Sequence, residues 1–235
     1  MTVKERFIAA FIESDRWKLY ISGLGITLEI ALFAGVLGII IGTILALMKL
    51  STTEEGKPTI FNYIATIYID VIRGTPSVLQ LLIMWFIIMA SSNNGILVAS
   101  LSFGINSGAY VAEIVRGGIM AVDKGQMEAG RSLGLSKAAT MRYIVLPQAV
   151  KNIIPPLGNE FITLIKETAI VGYVSLTDLT RVANQIASRT YDAFMPLIGV
   201  AVIYFVIIQL LSTFLGKYII KIRSYQHKKS RMYPH

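Results

Sequence analysis

The sequence predicts an all-α membrane protein with about five transmembrane helices and one structured cytoplasmic loop, and three observations predict it. Of the 235 residues, 54% are hydrophobic and only 15% charged, where soluble domains carry roughly 25% charged residues. The apolar residues gather into runs of about 20, the length that crosses a bilayer. Between two of these runs lies a polar stretch, 120–152, that contains helix-capping signals. The length suits one helical bundle, a single domain over 1–235, and leaves little room for a soluble domain.

The first span reads from Tyr20 to Leu50, with Trp17 and Tyr20 at its start, where aromatic residues favour the membrane interface. Ala34, Gly38, Gly42 and Ala46 recur every four residues along it and so share one helix face. Such a small-residue face lets a second backbone approach closely in lipid. Residues 49–57 are polar and form a loop. The apolar stretch from Thr59 to Ala90 is interrupted by Asp70, Arg73, Gly74, Thr75 and Pro76. An arginine is costly at mid-bilayer, so Thr59–Arg73 is expected largely at the cytoplasmic interface. The true span then runs from about Thr75 to Ala90, with Pro76 at a helix start or kink.

Ser91 to Gly95 forms a turn, and the third span runs from about Ile96 to Ile119. The fourth is expected from about Ile153 to Leu176, residues 177–193 are polar and outside, and the last span runs from Phe194 to Ile220.

The net charge is +8, and its distribution orients the chain. Lys217, Lys221, Arg223, Lys228, Lys229 and Arg231 follow the last apolar run with no acid among them. This basic tail, 221–235, reads as a cytoplasmic end meeting anionic lipid, not as a nucleic-acid-binding tail. With five spans the loops 49–57 and 120–152 are cytoplasmic and the N-terminus is outside. Arg116, Lys124, Arg131, Lys137, Arg142 and Lys151 then lie on or near the cytoplasmic side. Lys4, Arg6, Arg16 and Lys18 lie outside, against the rule; splitting Thr59–Ala90 into two spans is the six-span alternative. Met1 to Lys18 lacks the pattern of a secretory signal peptide. There is no Cys, and the two His residues, His227 and His235, fall in the tail, so no metal site is expected.

Within 120–152 the sequence predicts two short helices. The first spans Gln126 to Leu133, with Gly134 placed to close it in a left-handed conformation. The second spans Lys137 to Val145, capped by Ser136. Pro147 is expected to discourage a straight continuation into the next span. A rigid helical hairpin between two spans makes a knob suited to docking a partner.

This segment resembles the EAA loop of ATP-binding-cassette importer permeases through Glu128, Ala129, Gly134, Leu146 and Pro147. Gly130 stands where the family has a second Ala, an exchange of small for small expected to weaken little. Two further stretches resemble the polar amino-acid branch of those permeases: Arg73-Gly74-Thr75-Pro76 with Gln80, and Asn106-Ser107-Gly108-Ala109-Tyr110 with Glu113 and Arg116-Gly117. The likeness covers about Gly23 to Lys221. It implies the transmembrane domain of a type I importer in the plasma membrane of a prokaryote, carrying polar amino acids; the carboxylate of Glu160 inside a span points to basic ones among them. It also implies three partners: an ATPase subunit seated on the coupling loop and holding ATP and Mg, a second permease subunit in a dimer (most simply an identical copy), and an extracytoplasmic amino-acid-binding protein. No G-x-x-x-x-G-K-S/T loop occurs in this chain, so ATP hydrolysis by that route falls to the separate subunit. An ion-coupled secondary transporter is the competing reading, and it needs no docking knob.

Ionisable residues inside spans default to function. Glu160 lies just past Pro155 and Pro156 beside Asn159, and the two prolines with Gly158 predict a broken helix whose freed backbone groups can bind polar ligands. Glu160 is the first candidate to meet the cationic group of an amino acid. The alternative is pairing within the protein, with Lys166 or Arg73. Asn159, Asn106, Ser107 and Tyr110 are further pathway candidates. Arg73 and Glu113 are expected near the cytoplasmic mouth, and Lys166 and Glu167 as a structural pair or a gate.

Overall fold

The computed structural model describes residues 2–53 and 56–232, with side chains as far as Lys217. The described residues are almost entirely helical, and their only bridge pairs Thr52 with Pro58. After a short helix α1 (Val3–Phe7) and a turn, the bundle is built around α2 (Arg16–Lys49) and α5 (Gly95–Met120). These two run parallel, with Gly38 against Ser107 and Gly42 against Val111. Ala34, Gly38, Gly42 and Ala46 are all buried, as the small-residue ladder predicts. A Cβ on Gly42 would lie 2.5 Å from Val111 and 2.8 Å from the Gly108 carbonyl oxygen, so the approach depends on a missing side chain.

Helix α3 (Ile60–Arg73) starts on a Thr59 side chain that accepts from the Asn62 N–H at 3.3 Å. Its buried Ala65 and Ile69 pack on Leu45, Ala109 and Ala112, toward the Lys49 end of the α2–α5 pair. Helix α4 (Ser77–Ile83) continues through a wide turn, Met84–Ile88, and is bent from α3 by 102°. Pro76 enforces this break, because its ring cannot extend α3. The stretch 59–90 is thus one bent leg, with the turn at Arg73–Pro76 as expected.

Helix α6 (Lys124–Ser132) and helix α7 (Lys137–Thr140) make the loop hairpin. A wide turn, Met141–Val145, then carries α7 straight into α8 (Leu146–Glu167). Three expectations are corrected here. Pro147 does not break the path, because it falls in the first turn of α8, where a missing N–H is tolerated. Pro155 and Pro156 sit inside a continuous α8. Packing from both sides holds the helix through them: Ile153 fills the space above Gly118, and Gly158 admits Leu215 of the last helix. The span starts and ends earlier than Ile153–Leu176, since α8 stops at Glu167. Thr168–Val174 winds more tightly, and Ser175 follows with φ 65°.

The polar stretch 177–193 holds an amphipathic helix, α9 (Leu179–Thr190). Leu179, Val182, Ala183 and Ile186, at the i, i+3, i+4, i+7 spacing, pack on Tyr20 and Val200. Asp178 caps it, accepting from the N–H groups of Thr180 (2.9 Å) and Arg181 (3.1 Å). Burial pushes the Asp178 carboxyl above the ordinary aspartate range, against the pull of these hydrogen bonds. Helix α10 (Phe194–Met232) runs back antiparallel to α8 and continues through much of the basic tail. The side chains of 221–235, His227 among them, and the whole of His235 lie outside the described residues.

Among the described residues, Val3–Lys49, Gly95–Met120 and Phe194–Lys217 are each long and apolar enough to cross a membrane, and the bent pair α3–α4 qualifies as one more. Helix α8 is the fifth leg by position, but Lys151, Asn152, Asn159, Glu160, Lys166 and Glu167 make it too polar to qualify by composition. Its central face packs on α5, where Asn152 donates to the Gly118 carbonyl and Ser107 to Glu160. The starts of α2 and α10 lie with α9 at one end of the bundle, and Lys49, Met120 and the hairpin at the other. A reporter at the C-terminus is therefore expected in the cytoplasm and one at the N-terminus outside. Both reporters on one side would overturn an odd number of crossings.

Candidate functional site

The hairpin closes as the residues predict. Gly134 has φ +83°, and around it Leu135 N–H donates to the Gly130 carbonyl (3.1 Å) and Gly134 N–H to the Arg131 carbonyl (3.0 Å). This is the paired closure that a left-handed glycine makes at a helix end. The Ser136 hydroxyl accepts from the Ala139 N–H at 3.2 Å. The Gln148 amide ties the hairpin to α8 by donating to Gln126 Oε1 (3.1 Å) and to the Ile144 carbonyl (2.9 Å). Glu128, Ala129, Leu146 and Pro147 are exposed. Leu133 and Tyr143 are 81% and 67% exposed, an apolar display that suits a docking face.

Gly130 is not a casual replacement for alanine. It is buried, and a Cβ there would lie 2.4 Å from Thr140 Cγ2, far inside contact distance. Gly130→Ala is therefore expected to force the two hairpin helices apart and lower the melting temperature of the detergent-purified protein. Adding Thr140→Ala should restore it. A single substitution with wild-type melting behaviour would show that the contact is slack.

In the bundle, Ser107 Oγ donates to Glu160 Oε1 at 2.8 Å. Both line a cleft of about 440 Å³ whose walls are otherwise largely apolar, among them Leu32, Gly35, Phe161 and Phe214. No cation pairs with Glu160 among the described residues. Lys166 is exposed, and Arg73 stacks over the Tyr110 ring at 5.2 Å. Among the described residues, then, no salt bridge joins Glu160 to Lys166 or Arg73, the alternative expected above, and none joins Lys166 to Glu167. Asn159 is exposed, and its carbonyl accepts from the Thr163 hydroxyl at 3.1 Å.

Asn106 turns the other way. Its amide donates to Gln80 Oε1 at 3.0 Å, and the Gln80 amide holds the Arg73–Pro76 bend through the Ile72 carbonyl (2.8 Å) and the Thr75 hydroxyl (2.7 Å). Neighbouring residues of α5 thus clamp the bend on one side and orient Glu160 on the other. Nearer the hairpin, Glu113 joins Lys49 (2.7 Å) and Arg116 (2.7 Å).

The pairing of Lys49 with Glu113, the bracing role of Gln80 and the placement of Glu29 emerge only from the structure. Glu29 shares a pocket with Asn94 and with Ser100, whose buried Oγ has no hydrogen-bond partner among the described residues. A carboxylate inside the first apolar run was the available signal for it.

A largely apolar cleft in a helical bundle that holds one carboxylate, with a rigid hairpin projecting between two of its legs, fits a membrane transport subunit. The chain belongs to the family described as binding-protein-dependent transport system inner membrane component, which it matches over residues 38–222. It is 43% identical over 200 residues to the arginine transport system permease protein ArtQ of Bacillus subtilis, covering 84% of this chain and 89% of that one. It is 37% identical over 214 residues to the glutamine transport system permease protein GlnP of Escherichia coli K12, covering 89% and 91%. A crystal structure of an amino acid ABC transporter with histidines superposes with a TM-score of 0.80 at 45% identity, covering 87% of this chain and 94% of that one. An inward-facing structure of the MetNI methionine ABC transporter shares the fold at a TM-score of 0.78 and 18% identity, covering 90% and 99%.

Proposed function

We propose that this chain is the permease subunit of an ATP-driven importer of polar amino acids, preferentially basic ones, in the plasma membrane of a prokaryote. The observation that carries the preference is Glu160, a carboxylate in a largely apolar cleft whose described hydrogen-bond partner is the Ser107 hydroxyl. A carboxylate at membrane depth is costly without a cation, and an arginine, lysine or histidine side chain supplies one. The relatives named for arginine and glutamine transport fit a site for polar amino acids.

The hairpin from Glu128 to Pro147 docks a separate ATPase subunit, which binds ATP and Mg and drives the two-sided opening of the pathway. The lone bundle leaves its cleft open, and a second permease subunit, most simply an identical copy, closes the pathway by alternating access. An extracytoplasmic binding protein delivers the amino acid. Ser107 lines the pathway with Glu160, Asn106 and Tyr110 brace the bent leg beside it, Asn159 lies exposed next to Glu160 in α8, and Arg73, Glu113, Lys166 and Glu167 sit toward its ends. The test is co-purification with an ATP-binding-cassette ATPase co-expressed with this chain, followed by uptake of radiolabelled amino acids into proteoliposomes. ATP-dependent uptake of arginine above glutamine supports the proposal. Uptake that follows an ion gradient without ATP would replace it with a secondary transporter.

A further inference from the structure

A separate pocket, lined mainly by polar side chains, lies at the end of the bundle away from the hairpin. The tight segment after α8 and the polar face of α9 border an open groove of about 490 Å³, lined by Tyr173, Thr180, Arg181, Asn184, Gln185 and Ser188 among others. The lining carries one cation and no anion. Arg181 is partly buried and donates through Nη1 to the Gly172 carbonyl, which anchors the guanidinium to the segment that continues from Glu167. Its guanidinium makes no ion pair among the described residues. The nearby carboxylate, Asp178, accepts the N–H groups at the start of α9 instead.

The apolar face of α9 is covered by Tyr20 and Val200, so the polar face is the one left for solvent or a ligand. A guanidinium fork presents parallel donors that match a carboxylate, and the neutral polar side chains around it can complete the shell.

We propose that this pocket is an outer capture site for the α-carboxylate of the incoming amino acid, with Arg181 as the carboxylate-binding residue. The inference rests on the amino-acid import proposed above and adds a site to it. Between Glu160 and Gly172 the chain advances about 15–20 Å at helical rise. One amino acid cannot span that distance, so the two sites act in sequence: carboxylate capture outside, then cation recognition at Glu160. An acidic side chain of the binding protein offers the same chemistry, and the test separates the two sources.

The permease is purified with its ATPase, reconstituted in nanodiscs without binding protein, and titrated with L-arginine, with agmatine, which lacks the carboxylate, and with L-citrulline, which lacks the side-chain charge. The wild type is expected to bind arginine at least ten-fold more tightly than agmatine. Arg181→Gln should erase that preference while leaving agmatine binding unchanged, and Arg181→Lys, which keeps the charge and loses the fork, should reduce it several-fold. Glu160→Gln should instead erase the preference for arginine over citrulline. Failure at Arg181 and failure at Glu160 therefore give different readings. An undiminished arginine-over-agmatine preference in both Arg181 variants overturns the capture site. A parallel ATPase assay adds the binding protein back; a defect of the Arg181 variants confined to its stimulation of ATP hydrolysis also overturns the capture site and assigns the pocket to that protein's acidic side chain.

Discussion

Glu160→Gln is expected to cut ATP-driven arginine uptake by about two to three orders of magnitude. Removing one partner of a buried ion pair costs about 3–5 kcal/mol, and each 1.4 kcal/mol is about tenfold. The exchange isolates charge from shape. A glutamine Oε1 can still accept the Ser107 hydroxyl that lies 2.8 Å from Glu160 Oε1, so the α5–α8 contact should survive. The assembled complex should keep its basal ATPase activity and its elution volume in size exclusion, and uptake of neutral glutamine should fall far less than uptake of arginine. A complex that no longer accumulates would make Glu160 a structural residue. Unchanged arginine uptake by a well-assembled variant would remove it from the pathway.

Gly134→Val is expected to uncouple ATP hydrolysis from transport while membrane insertion stays normal. A β-branched residue held at φ +83° costs about 1–3 kcal/mol of backbone strain. Relaxing it breaks the bonds from Leu135 to Gly130 and from Gly134 to Arg131. The hairpin would then lose its fixed angle, and the exposed Leu133 and Tyr143 would present to the partner in a changed geometry. Amino acid imported per ATP hydrolysed should drop at least tenfold. Gly134→Asn should be milder, because asparagine visits the left-handed region more readily. Full coupling in the valine variant would sink the docking role of the hairpin.

The elements most legible in the sequence are those specified by local chemistry. A left-handed glycine after a helical run and a serine before the next are conformational requirements, and the hairpin obeys both. The small-residue ladder of the first span likewise announced a close helix contact, though not that the other partner is the α5 face carrying Ser107 and Val111. Helix α9 was legible too, in the spacing of Leu179, Val182 and Ile186 behind Asp178, but a polar average over the stretch hid it.

Read by itself, the sequence determined the membrane class, the bent leg at Arg73–Pro76 and the hairpin. Each of these depends on a run's hydropathy or on a few neighbouring backbone angles. Only the tertiary structure decided that α8 stays helical through Pro155 and Pro156. The bonds those prolines remove are outweighed by Ile153 filling the gap over Gly118 and by Leu215 lying against Gly158, contacts between residues far apart in the chain. It also decided that Glu160 takes a hydroxyl from Ser107 instead of a cation from Lys166 or Arg73, because a side chain's partner depends on which faces meet. Finally, it set Arg181 beside Gly172, where a surface helix and the tight end of α8 together form an open groove that neither segment contains alone.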